Sequence, residues 1–418
     1  MKIDRGLVLS LGVAAVATAC AGAGAGGGGM RVTVPVPEVV CPGGPLATFA
    51  TADSVAGALA LVGTVPEEGR PAAFLAAQQQ ARRAIAAQPD NAYGHYLAGQ
   101  AALGVGDYAE AETSFDAAVR LCPALAEYDV NEYRATGAAQ AFERAGSLLQ
   151  AQDTAGAVAA YEASLRMYPE NYPADFYLGL ISFQRQNTAE AVTRWRRVMQ
   201  AIDRMDPSDD AEVMAERGSA RVNALNALVF AARQYLERDQ TREAAELLAE
   251  IRREAPNNAE AAYYHALALN TQQRWSELLP VARQATELAP LSYGAWILYY
   301  NAFAGQSQAA TTAGNTTQAN ELARQAREVS QRSEALPVQV EGVTVDVTPE
   351  GTQLRGVAVG TGATAPVTVE FTLHGVDGPL GTGRVTITPP AREQQDRFEL
   401  TIDNTNPVTG VTYRVAGG

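Results

Sequence analysis

From Ala92 to about Ser333 the chain repeats one order of small, large apolar and helix-ending residues. A small residue is followed twelve positions later by a second, four later by a large one, three later by a small one and five later by proline. Gly99, Ala111, Phe115, Ala118 and Pro123 set the pattern, and Ala145, Ala157, Tyr161, Ser164 and Pro169 repeat it. Gly179, Ala191, Trp195 and Val198 follow, with Asp203 in the proline place; then come Ala232, Ala244, Leu248, Ile251 and Pro256, and then Ala266, Leu278, Ala282, Ala285 and Pro290. The second and third units, starting at Ala138 and Tyr172, are 34 residues apart, as are the fourth and fifth, starting at Leu225 and Ala259. An alanine-rich bundle has no reason to keep that phase. Each unit predicts two helices in close approach at the small residues, with the large residue filling the gap to the next unit and proline stopping the second helix. A sixth unit begins near Tyr293, is interrupted by the polar stretch Gln306–Ala313, and resumes at Gln318. Ala77, Ala81, Ala84 and Pro89 have the spacing of a second helix in a degenerate unit ahead of the first. Inserts at Ala126–Gly137 and Asp206–Ala224 break the tandem, with Asp129 and Ser208 expected as N-caps of lengthened helices.

The phase and residue types resemble the tetratricopeptide repeat. The resemblance implies a stack of helix pairs that no single pair could stabilise alone. It also implies a concave face lined by the first helix of each pair. The residues at its lining positions here include Tyr93, Tyr96, Gln100, Phe142, Phe176, Phe183, Gln184, Arg233 and Tyr263. Such a groove is aromatic with a few polar groups, suited to a partner helix or extended peptide. The same rings also fit ordinary packing in this family. The Lys, Arg and Asn clamp with which some members hold a carboxyl terminus is mostly replaced by aromatic residues, Leu and Gly.

From Val338 the pattern changes to alternation of Val, Thr and polar residues. Val338–Val347, Leu354–Val359, Thr368–Leu373, Gly383–Thr388, Arg397–Ile402 and Thr412–Val415 read as short strands, separated by turns such as Asp377-Gly378 and Pro389-Pro390. Their number and spacing predict an immunoglobulin-like sandwich. The segment Val369–Gly375 resembles the FxLYD family of extracytoplasmic modules, with His374 and Gly375 in place of its Tyr and Asp. That resemblance implies an adhesive or spacer role without catalytic residues. The expected fold class is therefore α plus separate β: an α-solenoid of about five to six tetratricopeptide repeats over 58–336, then a small β-sandwich over 337–418.

The amino terminus bears on location. Lys2 and Arg5 precede the apolar run Gly6–Ala19, too short to span a bilayer and of the right length for a signal-peptide core. Ala17-Thr18-Ala19-Cys20 resembles a bacterial lipobox, which implies a signal peptide over 1–19 and lipid on Cys20; the alternative is ordinary secretion. Residues 20–57, glycine-rich from Gly22 to Gly29, then read as a tether. Ala21 after the cysteine points, by resemblance to sorting rules, to the outer membrane, with the folded part facing the periplasm. Cys41 and Cys122 are left to form a disulfide or to stay as two buried thiols.

Composition narrows function. The 418 residues carry a formal charge of −14, which argues against nucleic-acid binding. Lys2 is the only lysine, so a processed chain has no Schiff-base or phosphate-loop lysine. Three histidines and three cysteines offer little for a metal. His95 and His265 fall at packing positions of the repeat, and His374 lies in the β-rich part. No cofactor, metal or catalytic residue is expected. The reading is a lipid-anchored envelope scaffold that binds a protein or peptide partner in its groove, with a glycan- or peptidoglycan-binding lipoprotein as the alternative. For the alternative, Trp195, Trp275 and Trp296 are the residues that would stack on sugars.

Overall fold

The computed structural model describes residues 36–376 and 378–417. The expectations for the signal peptide, Cys20 and the glycine run lie outside the described residues. Two compact units are formed, residues up to 185 with 197–206, and residues 186–196 with 207–417.

In the first unit a two-strand hairpin, β1 (Val40–Cys41) with β2 (Gly44–Pro45), leads into helices α1 (Ala50–Val62) and α2 (Arg70–Ala87). Then come α3 (Ala92–Val105), α4 (Tyr108–Leu121), α5 (Asn131–Gln150), α6 (Thr154–Met167) and α7 (Tyr172–Gln184). Helix α8 (Thr188–Arg204) runs across the boundary in sequence. The tether expected over 20–57 gives way to folded structure from residue 36: Ala52, Val55 and Ala56 are buried, and Cys41 is bonded to Cys122. Apolar residues at 52, 55, 56, 59 and 62 give α1 a helical stripe that needs a partner.

The second unit contains α9 (Ala211–Glu237), α10 (Thr241–Glu254), α11 (Ala259–Thr271), α12 (Trp275–Leu288), α13 (Tyr293–Thr312) and α14 (Thr316–Glu334). The polar stretch Gln306–Ala313 does not interrupt the sixth pair but continues α13 to Thr312. Within that stretch Ala310 is buried, the Gln306 side chain donates to the Trp275 carbonyl at 3.0 Å and the Ser307 hydroxyl donates to the Ala319 carbonyl at 2.8 Å. Many of the first helices and their partners begin at side-chain caps. Asn91, Asp107, Asp153, Asn258, Ser292 and Asn315 each accept a backbone amide of the first turn. At the second insert the cap of α9 is Asp210, not Ser208; the Ser208 hydroxyl accepts the Asp210 amide.

The β-rich part is a sandwich of two three-stranded antiparallel sheets. One has the order β3 (Gln339–Thr348), β4 (Gly351–Val359), β7 (Gln395–Ile402); the other has β6 (Pro379–Ile387), β5 (Val367–His374), β8 (Gly410–Val415). Alternate residues Leu354, Ala358, Val369, Phe371, Leu373, Phe398, Ile402 and Tyr413 meet between the sheets. That core also takes in Ala289 and Leu291 from the turn before α13. The Val340 amide donates to the Leu291 carbonyl at 2.9 Å, and the Asn258 and Asn226 side chains donate to the carbonyls of Thr409 and Val408 at 2.7 and 3.1 Å. A Cβ on Gly410 would lie 2.6 Å from the Asn258 Cα, so only glycine allows this approach. The sandwich is therefore packed and hydrogen-bonded onto the helix pairs of its own unit.

Candidate partner-binding surface

The expected groove residues divide into three groups. Tyr93, Tyr96 and Gln100 of α3 are each 1% exposed, which corrects their assignment to a groove wall. The Phe49 ring packs against Gly94, and the Asn91 side chain donates to the Ala47 carbonyl, so the segment before α1 lies on the start of α3. From the other direction, the insert 126–137 forms a π-helical turn (Ala126–Val130) running into α5. Asp129 therefore does not cap α5. It accepts the Tyr96 hydroxyl at 2.7 and 2.9 Å, while the Tyr133 ring meets Tyr96 edge-on at 6.2 Å and stacks on Phe115 at 5.9 Å. Burial and the Asp129 carboxylate push the Tyr96 hydroxyl up; burial pushes the Asp129 carboxyl up, opposed by the Tyr96 bond. Neither atom of the Gln100 carboxamide has a hydrogen-bond partner among the described residues.

The second group stays half-exposed in the first unit. The Phe142 ring contacts Tyr161 and Tyr177 edge-on, with centroids at 5.3 and 5.8 Å, and Tyr161 and Tyr177 stack at 5.4 Å. Phe176 meets Tyr177 edge-on at 6.1 Å. Phe183 is half-buried and Gln184 exposed. Phe142 comes from α5 and Phe176, Tyr177, Phe183 and Gln184 from α7, the first helices of successive pairs; around the buried Tyr161 of α6 they form an aromatic ledge that stays partly exposed.

The third group lies in the second unit. The Arg233 guanidinium sits 5.3 Å from the Tyr264 ring centre and 5.8 Å from that of Phe230, and it donates to Glu260 at 3.3 Å. Tyr263 meets Tyr264 edge-on at 5.3 Å and lies against Gly294, where a Cβ would come within 3.0 Å of its ring. Burial, then the Glu260 carboxylate, pushes the Tyr264 hydroxyl up to about 12. Phe230 and Tyr264 were missed by the sequence reading, although each is the neighbour of a residue at a lining position.

The remaining candidates have structural partners. His95 bonds the Pro89 carbonyl at 2.8 Å. His265 is buried, and its Nδ1 accepts from Arg252 at 2.9 Å. Trp195 is buried, and the Trp296 indole donates to the Pro290 carbonyl at 2.8 Å. His374 Nε2 lies 2.9 Å from the Thr412 hydroxyl. Among the described residues no group of three or more His, Cys, Asp or Glu is placed to hold a metal, and no helix is long and apolar enough to cross a membrane.

A family model described as tetratricopeptide repeat matches residues 74–126 and 142–210. No curated protein matches the chain. Among solved structures, YrrB, described as a TPR protein with an unusual peptide-binding site, is 16% identical, covers 46% of this chain and 85% of its own, and has a TM-score of 0.27. MamA of Desulfovibrio magneticus is 14% identical over 46% of this chain and 95% of its own, with a TM-score of 0.26. Pseudomonas aeruginosa pilF is 14% identical over 61% and 94%, with a TM-score of 0.25. Likenesses this distant carry no argument about function. The 34-residue phase, the helix pairs it produces and the family match agree: the helical part of this chain is built of tetratricopeptide repeats, an architecture that serves contact between proteins.

Proposed function

We propose that this protein is a lipid-anchored scaffold of a bacterial envelope that holds a protein or peptide partner on the half-exposed aromatic ledges of its repeats. The observation that carries the reading is the clustering of Phe142, Phe176 and Tyr177 on successive first helices, each only partly buried. Arg233, Tyr263 and Tyr264 offer a second such patch in the other unit. Cys20, at the end of an apolar run, is the anchor, and the outer membrane facing the periplasm is the proposed site. The sandwich, whose β5 carries Phe371-Thr372-Leu373, serves as a fixed spacer or second contact. A photo-cross-linking residue at Phe176, Gln184 or Tyr263 in living cells tests the scaffold. A discrete protein adduct, absent when the label is moved to exposed Arg242 or Arg324, is expected; no adduct from any site on folded protein would sink the reading. The anchor has its own test: Cys20→Ala should move the protein from the membrane to the soluble fraction.

A further inference from the structure

The first pair of repeats carries a covered surface as well as an open one. Tyr96 and Gln100 stand one helical turn apart on α3, at positions that line the groove in this architecture; the insert 126–137 covers Tyr96 through Asp129 and Tyr133, and Gln100 is buried as well. The cover is an imperfect one. Asp129 is half-buried, yet its carboxylate accepts only the Tyr96 hydroxyl and forms no ion pair among the described residues. Gln100 is buried with both donor and acceptor unpaired, although a carboxamide taken out of water ordinarily finds a partner. The cover begins in a π-helical turn, a rarer geometry than the α-helix it feeds and one often found at functional sites.

We propose that the insert 126–137 is a displaceable plug, and that the surface beneath it receives a partner helix presenting a carboxylate and an aromatic ring four residues apart. Asp129 and Tyr133 show the required chemistry in place. The carboxylate takes the Tyr96 hydroxyl, and the ring stacks on Phe115 and meets Tyr96 edge-on. A partner that adds a hydrogen-bonding side chain one turn further satisfies Gln100, which the plug does not, and so has an advantage over the internal segment. The proposal deepens the scaffold reading and rests on it for the identity of the groove.

The probe is a dye-labelled synthetic peptide with the sequence of residues 124–137, read by fluorescence anisotropy against the full chain. In wild type the plug competes with it. In the double variant Asp129→Asn, Tyr133→Ala the plug is weakened, and the peptide should bind at least tenfold more tightly. Adding Tyr96→Phe should remove most of that gain, as should an Asp129→Asn change in the peptide itself. Equal binding to wild type and to a double variant that keeps its helical signal overturns the proposal. If the double variant loses helix, hydrogen exchange on wild type decides. Amides of residues 127–134 exchanging at least tenfold faster than those of α3 support the plug, and exchange at the rate of α3 overturns it. Cross-linked adducts at Phe176 or Tyr263 alongside a failed peptide assay would overturn the plug alone and leave the scaffold standing.

Discussion

Gly106, Gln152, Gln186, Asp239 and Gln273 occupy the same turn in five successive repeats, and all have positive φ, from 56° to 81°. Only the first is glycine. An L side chain in the left-handed region costs about 1–2 kcal/mol, which glycine avoids while losing more backbone entropy on folding. Gln152→Gly and Gln273→Gly should therefore each stabilise their unit by about 0.5–1 kcal/mol, seen as a higher urea midpoint. A lower midpoint would mean that the glutamine side chains make contacts worth more than the strain. Gly99 is the opposite case. A Cβ there would lie 2.4 Å from the Phe115 ring, so Gly99→Ala should cost about 1–3 kcal/mol by overpacking. That close approach was legible in the sequence, since a small residue sixteen positions before a large one recurs in the first four units. The burial of Tyr96 was not. What covers it is Asp129, 33 residues away in an insert that no repeat pattern describes.

At the scale of elements, the Arg252 side chain joins α10 to both α11 and α12. Arg252 of α10 donates to His265 Nδ1 of α11 and to the Gln284 side-chain Oε1 of α12. A guanidinium only donates, so Nδ1 must be unprotonated. Burial, then the Arg252 charge, pushes His265 down from 6.5 to about 4. The unfolded chain therefore binds a proton between pH 6.5 and 4 that the folded one refuses. The stabilisation held above pH 6.5 is lost as pH falls towards 4, by about 2 kcal/mol between pH 7 and pH 5. Urea titrations at the two values should show this loss in wild type and not in His265→Gln; equal pH dependence in both would sink the assignment. Asn258 links elements in another way, accepting the Ala261 amide as the α11 cap while donating to Thr409 of the sandwich. Asn258→Ala should cost about 1–3 kcal/mol, more than a cap alone. The strands and helices themselves were readable because period and turn residues are local. The docking of the sandwich was not, because it rests on asparagine side chains meeting carbonyls 151 and 182 residues away.

At the scale of the molecule, the sandwich core includes Ala289 and Leu291, so a chain ended at residue 336 leaves apolar surface of the helical part uncovered. Its calorimetric transition should fall relative to full length; an unchanged transition would mean that the two parts fold independently. The amino end is closed by covalent means. Arrays of stacked repeats depend on neighbours, so their ends open first and unwinding travels inward. Here the bond from Cys41 to Cys122 spans 81 residues, with α1, α2, α3 and α4 inside the closed loop. Peeling cannot begin at a free end and advance hairpin by hairpin. The amino-terminal hairpin can leave only if the tail of α4 goes with it or the bond is cut. A stack that would otherwise fray like rope is whipped at one end, and mild reductant should restore ordinary fraying there before it changes anything in the second unit.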